Sequence, residues 1–254
     1  MKRIFFTLLL ILFATLNSNA QLTLVDEWEA NIGYLNFQGD YGTRGIFSST
    51  LPNSGGMIGG KVYFNLLDAE NTGCYSCQHL KFHLGFNTGY SILSFSGVKG
   101  DGIYHAKLAA INGQIYFLDL SANTEFHFNN LRYRDYFSNS FLNKADPYVG
   151  VGIGLMAYGV DVESSLGNFE KNPSILPDSF VGNMYPKGGF VPSVNLEVGL
   201  RYQFTDELQL TFNNKWMYFL SDKVDGVVPD PKMVDNNHDD WLFSPSVGVV
   251  IFIY

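Results

Sequence analysis

The chain has 254 residues, 26 of them Gly, 22 Phe and 15 Tyr, with 16% charged residues and a formal net charge of −8. Mean hydropathy is +0.02, the value expected when lipid-facing and lumen-facing residues alternate and cancel in a membrane barrel; a soluble β-sandwich is the competing strand-rich fold. The acidic balance argues against a nucleic-acid partner, because such binding draws on Lys and Arg to neutralise phosphates.

From the N-terminus, Lys2 and Arg3 precede an apolar run Ile4–Leu16 and a short segment Asn17–Ala20. This layout predicts a cleavable secretory signal over 1–20 and a single outer-membrane barrel domain over 21–254. The apolar run is short of the roughly 20 residues of a spanning helix. No Cys follows it to mark a lipoprotein, and no later stretch reads as a transmembrane helix. Any later span must therefore be made of strands.

The predicted strands, in order, are Trp28–Gln38, Met57–Leu67, Leu80–Ile92, Lys107–Leu118, Pro147–Val160, Val194–Phe204, Glu207–Leu220 and Phe243–Tyr254. In Leu80–Ile92 one face reads Leu80, Phe82, Leu84, Phe86, Thr88, Tyr90, Ile92 and the other Lys81, His83, Gly85, Asn87, Gly89, Ser91. Val194–Phe204 and Glu207–Leu220 alternate in the same way, and Thr205 and Asp206 between them predict a tight hairpin. In Pro147–Val160, Val149, Val151, Ile153 and Leu155 face one way, while Gly150, Gly152 and Gly154 face the other and suit a crowded lumen. The fold class is therefore all-β, a transmembrane antiparallel barrel of eight strands with both termini periplasmic. Ser121–Asn130 is an open alternative, as a ninth strand with a tenth nearby.

In that topology the outward loops are 39–56, 95–104, 161–192 and 221–242, and the inward turns 68–78, 119–146 and 205–206. The lumen receives Glu29, Lys61, Lys81, Glu197, Arg201 and Lys215, with both signs present, so mutual pairing and a filled interior are expected. Arg201 is expected to neutralise Glu197 or a carboxylate across the barrel. A filled lumen disfavours a pore.

Four constellations qualify as candidate sites. Cys74-x2-Cys77-x-His79-x3-His83 reads first as a Cys74–Cys77 disulfide in an oxidising compartment, with Zn²⁺ ligation or free thiols as alternatives. The loop 221–242 carries Asp222, Asp225, Asp230, Asp235, Asp239 and Asp240 with Asn236, Asn237 and His238; a solvated acidic loop is favoured over a Ca²⁺ site. Ser96, Asp101 and His105 make a conceivable triad, although nothing in their spacing fixes it, and no enzyme is expected. The long inward turn holds Arg132, Tyr133, Arg134, Tyr136 and Phe137, the composition of an interface hot spot, against the alternative of packing under the rim. Tyr34, Tyr63, Tyr90, Tyr158, Trp216 and Tyr218 are expected as interfacial anchors.

Several short motifs carry a resemblance. The ending Asn19-Ala20-Gln21 of the signal is in the style of Bacteroidota. The run from Gly33 through Asp40 to Gly42 resembles the corresponding region of PorG-like outer-membrane barrels. The Cys pair, the segment Pro147–Gly152 and the terminal Tyr254 are similar to a related family of such barrels, and the terminal aromatic resembles the signal read by the barrel-assembly machinery. The resemblance implies a non-enzymatic anchor or accessory subunit of a type 9 secretion or envelope-assembly complex, with a small transport pore and then a lipid-modifying barrel as alternatives. The implied partners are outer-membrane lipid and lipopolysaccharide, the assembly machinery and a periplasmic or secretion-complex protein. No cofactor is expected.

Overall fold

Period-two patterning gives each strand one apolar face, and a sheet whose outer face is apolar along every strand is stable only where lipid covers it. The computed structural model describes residues 25–42, 47–64, 79–98, 100–129, 131, 144–205, 207–228 and 239–253, and in it eight strands close into one barrel in chain order. They are β1 Val25–Gln38, β2 Ser54–Phe64, β3 Leu80–Ser94, β4 Ile111–His127, β5 Ala145–Ser164, β6 Gly189–Gln203, β7 Leu208–Phe219 and β8 Trp241–Phe252. Every neighbouring pair is antiparallel, and β1–β8 pairing from Glu27↔Phe252 to Gln38↔Trp241 closes the wall. Among the described residues no helix is long and apolar enough to cross a membrane. The wall itself crosses.

The outer face is lipid-like from strand to strand. Leu84, Phe86, Val151, Ile153, Leu196 and Phe212 all point outward and are exposed. Tyr34, Tyr90, Tyr116 and Tyr218 lie toward one end, while Phe126 and Phe204 lie toward the other, which marks two aromatic rims. On β5 the outward residues change from Val149, Val151, Ile153, Leu155 and Ala157 to Gly159, Asp161 and Glu163, so the β4–β5 hairpin stands proud of the apolar belt.

Two predicted boundaries are corrected. Lys107 to Ala109 belong to a short helix, Ile103–Ala109, and the fourth strand begins at Ile111 and runs on to His127. Ser121–Asn130 is thus no ninth strand; its part up to His127 is the second half of β4, and the inward connection 119–146 shrinks to 128–144. The reason is physical. At the start of β4 the lumen face is apolar (Ile111, Ile115, Phe117) and the outward face polar (Asn112, Gln114), inverting the pattern sought. The hairpin after β6 is also wider than two residues: Phe204 and Thr205 donate their N–H to the Leu208 carbonyl, and the loop spans 204–207.

A closed strand ladder resists detergent until heated, so unboiled protein is expected to migrate differently from boiled protein on detergent gels. Identical migration would contradict the closed ladder.

Candidate functional site

The lumen is filled in two tiers, and register explains both. Along β4 every odd residue points inward: Ile111, Gly113, Ile115 and Phe117, then Asp119, Ser121, Asn123, Glu125 and His127. The change from apolar to polar at Asp119 repeats around the wall. Toward the long loops, Leu35, Phe37, Met57, Leu93, Met156, Val191, Met217, Phe219 and Leu242 fill the interior as a buried apolar core. Toward the β6–β7 hairpin the interior is an ion-pair network.

Glu125 is the hub of that network. Its Oε1 accepts from Lys61 Nζ at 3.0 Å and Tyr63 Oη at 3.1 Å, and its Oε2 faces Arg201 Nη2 at 3.2 Å and His127 Nε2 at 3.0 Å. Lys61 also donates to Glu197 Oε2 at 2.7 Å and lies 3.9 Å from Glu29 Oε2. Arg201 reaches Glu27 through Nη1 and lies over the Tyr63 ring at 4.3 Å; Lys81 also donates to Glu27. Lys215 pairs with Asp119 at 3.2 Å. The ring of His127 lies between two carboxylates, its Nδ1 2.7 Å from Asp146 Oδ2 and its Nε2 on Glu125.

The six lumen charges expected from sequence are all brought together here. Arg201 takes the cross-barrel option, Glu27 and Glu125, while Glu197 belongs to Lys61. Sequence reasoning missed Glu27, Asp119, Glu125, His127 and Asp146. Glu125 and His127 fall within the predicted inward turn, although the polar series Asp119, Ser121, Asn123, Glu125, His127 carries their signal. Tyr63 is corrected from interfacial anchor to lumen residue, 2% exposed, donating to Glu29 Oε2 at 2.9 Å.

His83, Glu125 and Glu197 offer ligand atoms within 4.8 Å of one another, the geometry of a metal centre. Lys61 Nζ already sits between both carboxylates, so the cation of this site is the chain's own ammonium. His83 is tied to the network through Nε2, 3.1 Å from Asn123 Nδ2, whereas His79 sits at the rim with Nδ1 2.6 Å from the His127 carbonyl. Cys74 and Cys77 lie outside the described residues, as do Arg132, Tyr133, Arg134, Tyr136 and Phe137.

The opposite end carries a folded cap. The helix Ile103–Ala109 buries Leu108, Lys107 donates to the Leu176 carbonyl at 3.0 Å, and an isolated bridge joins Met184 to Val227. Phe95 stacks on Tyr41 at 4.6 Å and meets Phe180 edge-on at 5.4 Å. The expected solvated acidic loop is corrected here, for Asp225 and Asp240 are fully buried. Asp240 Oδ2 accepts the N–H of Val224 at 3.0 Å, and Asp225 Oδ2 accepts that of Asp40 at 2.7 Å. Burial, reinforced by Asp225 and Asp40, raises the Tyr41 hydroxyl well above the usual tyrosine range. Asp230, Asp235, Asn236, Asn237 and His238 lie outside the described residues. No hydrogen bond joins Ser96, Asp101 and His105 among the described residues; Ser96 N–H goes instead to Ser94 Oγ at 3.2 Å.

A closed antiparallel wall with an apolar, aromatic-rimmed exterior and a filled interior defines the class: a small eight-stranded outer-membrane β-barrel. No family model matches the chain, and no curated protein does. Among solved structures it is similar to Neisserial surface protein A, with a TM-score of 0.47 at 13% identity over 90% of this chain and 97% of that one. It is also similar to a major outer membrane protein from Thermus thermophilus, with TM-score 0.43 and 11% identity over 90% and 99% of the two chains. A third similar structure is OprG from Pseudomonas aeruginosa, with TM-score 0.43 and 11% identity over 90% and 96%.

Proposed function

We propose that the barrel is a non-enzymatic outer-membrane anchor or accessory subunit, of a type 9 secretion or envelope-assembly complex, with the turn 128–144 facing the periplasm as its docking element. The observation that carries this reading is the filled lumen. Apolar side chains occupy one half, cross-linked charges occupy the other, and the capped end lies over the apolar half, which favours a fixed body over a conduit. The PorG-like run from Gly33 to Gly42 supports the secretion context.

The stems of the turn are clamped. Asn129 donates its N–H to Asp146 Oδ1 at 2.9 Å and its amide to the Ala145 carbonyl at 2.9 Å, while Phe128 N–H bonds the Pro147 carbonyl at 2.9 Å. These bonds fix where the chain leaves β4 and re-enters β5, and the docking assignment to Arg132, Tyr133, Arg134, Tyr136 and Phe137 rests on their composition. Affinity purification from native membranes in mild detergent tests the proposal. Tyr133→Ala combined with Phe137→Ala is expected to release a periplasmic protein while heat-modifiable migration persists. Retention of every co-purifying protein overturns the docking assignment, and stepwise conductance in planar bilayers would replace the anchor with a pore.

A further inference from the structure

The lipid-facing wall carries one carboxamide out of place. Asn214 points outward from β7, is exposed, and lies between Phe212, which is 52% exposed, and Trp216 on the same face. Its pairing row fixes its depth. In one direction the row runs Val198, Val149, Phe126, descending to one aromatic rim. In the other it reaches Pro245 on β8, and continues past β1 through Tyr34, Gly56 and Tyr90 to the opposite rim. Asn214 is therefore near the middle of the apolar belt, and its side-chain carboxamide has no hydrogen bond among the described residues. An amide facing hydrocarbon without a partner is costly, so its retention calls for one.

A second polar defect adjoins it. The β1–β8 ladder pairs Gly33 with Ser246 and resumes at Asn36 with Phe243, skipping Tyr34 and Leu35 opposite Pro245 and Ser244. Both missing pairs need the same bond, from a residue-245 N–H to the Tyr34 carbonyl, and proline has no N–H to give. Asn214 on β7 and the Tyr34 carbonyl at the β1–β8 seam thus flank Pro245 of β8, placing unmet polarity on either side of that one strand. The short side chains of Val198 and Pro245 flank the amide laterally, leaving it accessible.

We propose that this β7–β8 face is an interface between two copies of the chain, related by a two-fold axis that brings Asn214 against Asn214. The argument is complementarity. A carboxamide is both donor and acceptor, so two copies facing each other close two reciprocal N–H···O bonds from one residue type, as an isologous contact requires. Acyl chains supply neither group. Phe212 and the Trp216–Phe243 ring pair, with centroids 5.3 Å apart, supply the apolar surround.

The test uses the full chain in bilayers, with a benzophenone amino acid replacing Phe212 on this face or Phe86 on β3 across the barrel. Light is expected to give a homodimer adduct from position 212 and not from 86, with Asn214→Leu weakening dimerisation about tenfold. Asn214→Leu removes polarity from a lipid face, so it is expected to keep heat-modifiable migration and an undiminished urea midpoint. Four results would each overturn the proposal: a monomer at all protein-to-lipid ratios, equal adducts from both positions, an adduct only with lipid or another protein, or a dimer indifferent to Asn214→Leu.

Discussion

Arg201→Ala is expected to lower the barrel's unfolding free energy by about 3–5 kcal/mol, the cost of stranding buried carboxylates once their cation is gone. Arg201 is fully buried and bridges Glu27 to Glu125 across the interior while covering the Tyr63 ring. Lys81 still serves Glu27, and Lys61, Tyr63 and His127 still serve Glu125, so the network is weakened and not abolished. Arg201→Lys separates charge from geometry. A point ammonium keeps the charge but lacks the planar fork that reaches two carboxylates at once, so an intermediate loss is expected. Lys171→Ala, in an exposed loop position, is the control and should leave the urea midpoint in detergent unchanged. Equal midpoints for Arg201→Ala and Lys171→Ala would refute the network as a structural element.

How much of this was legible in the sequence depends on which face carried the contrast. In β3 and β6 the lumen side is polar and the lipid side apolar, so alternation located both strands and assigned Lys81, His83, Glu197 and Arg201 inward. In β4 the lumen side turns apolar at the capped end while the outward side, above the lipid, turns polar. The pattern inverts within one strand, and a single-face rule breaks it into a short strand and a turn. Glu125, the hub, is lost in that break. Tyr63 misleads for a related reason: an aromatic in a strand fits the rim or the lumen, and only parity with Lys61 distinguishes them. Asp225 and Asp240 were unreadable because their burial depends on backbone donors of their own loop and of the β1 end.

The glycine row of β5 gives the second large effect, because the sequence marks it as a packing requirement and the structure shows what it accommodates. Gly152 faces the lumen opposite Asn123 on β4 and Asn195 on β6. A β-carbon there would collide with Asn123 Oδ1 and stand 2.5 Å from the Ala122 carbonyl oxygen, which is backbone and cannot rotate away. Asn123 is not free to yield either: it donates to Ser121 Oγ at 3.0 Å, accepts from Asn195 Nδ2 at 3.3 Å and contacts His83 Nε2 at 3.1 Å. One methyl therefore pushes on the carboxylate network as well as on the β4–β5 ladder, and Gly152→Ala should cost about 1–3 kcal/mol by overpacking. Gly159, on the same strand but facing outward, has nothing within 4 Å of the equivalent position. There Ala only restricts the unfolded chain, and Gly159→Ala should be neutral or stabilising by about 0.4–1 kcal/mol. The two variants differ by the same single methyl, so their urea midpoints and heat-modifiable fractions isolate lumen crowding from strand propensity. If Gly152→Ala folds as completely and as stably as Gly159→Ala, the interior has slack at this level and the wall does not rest on a filled lumen.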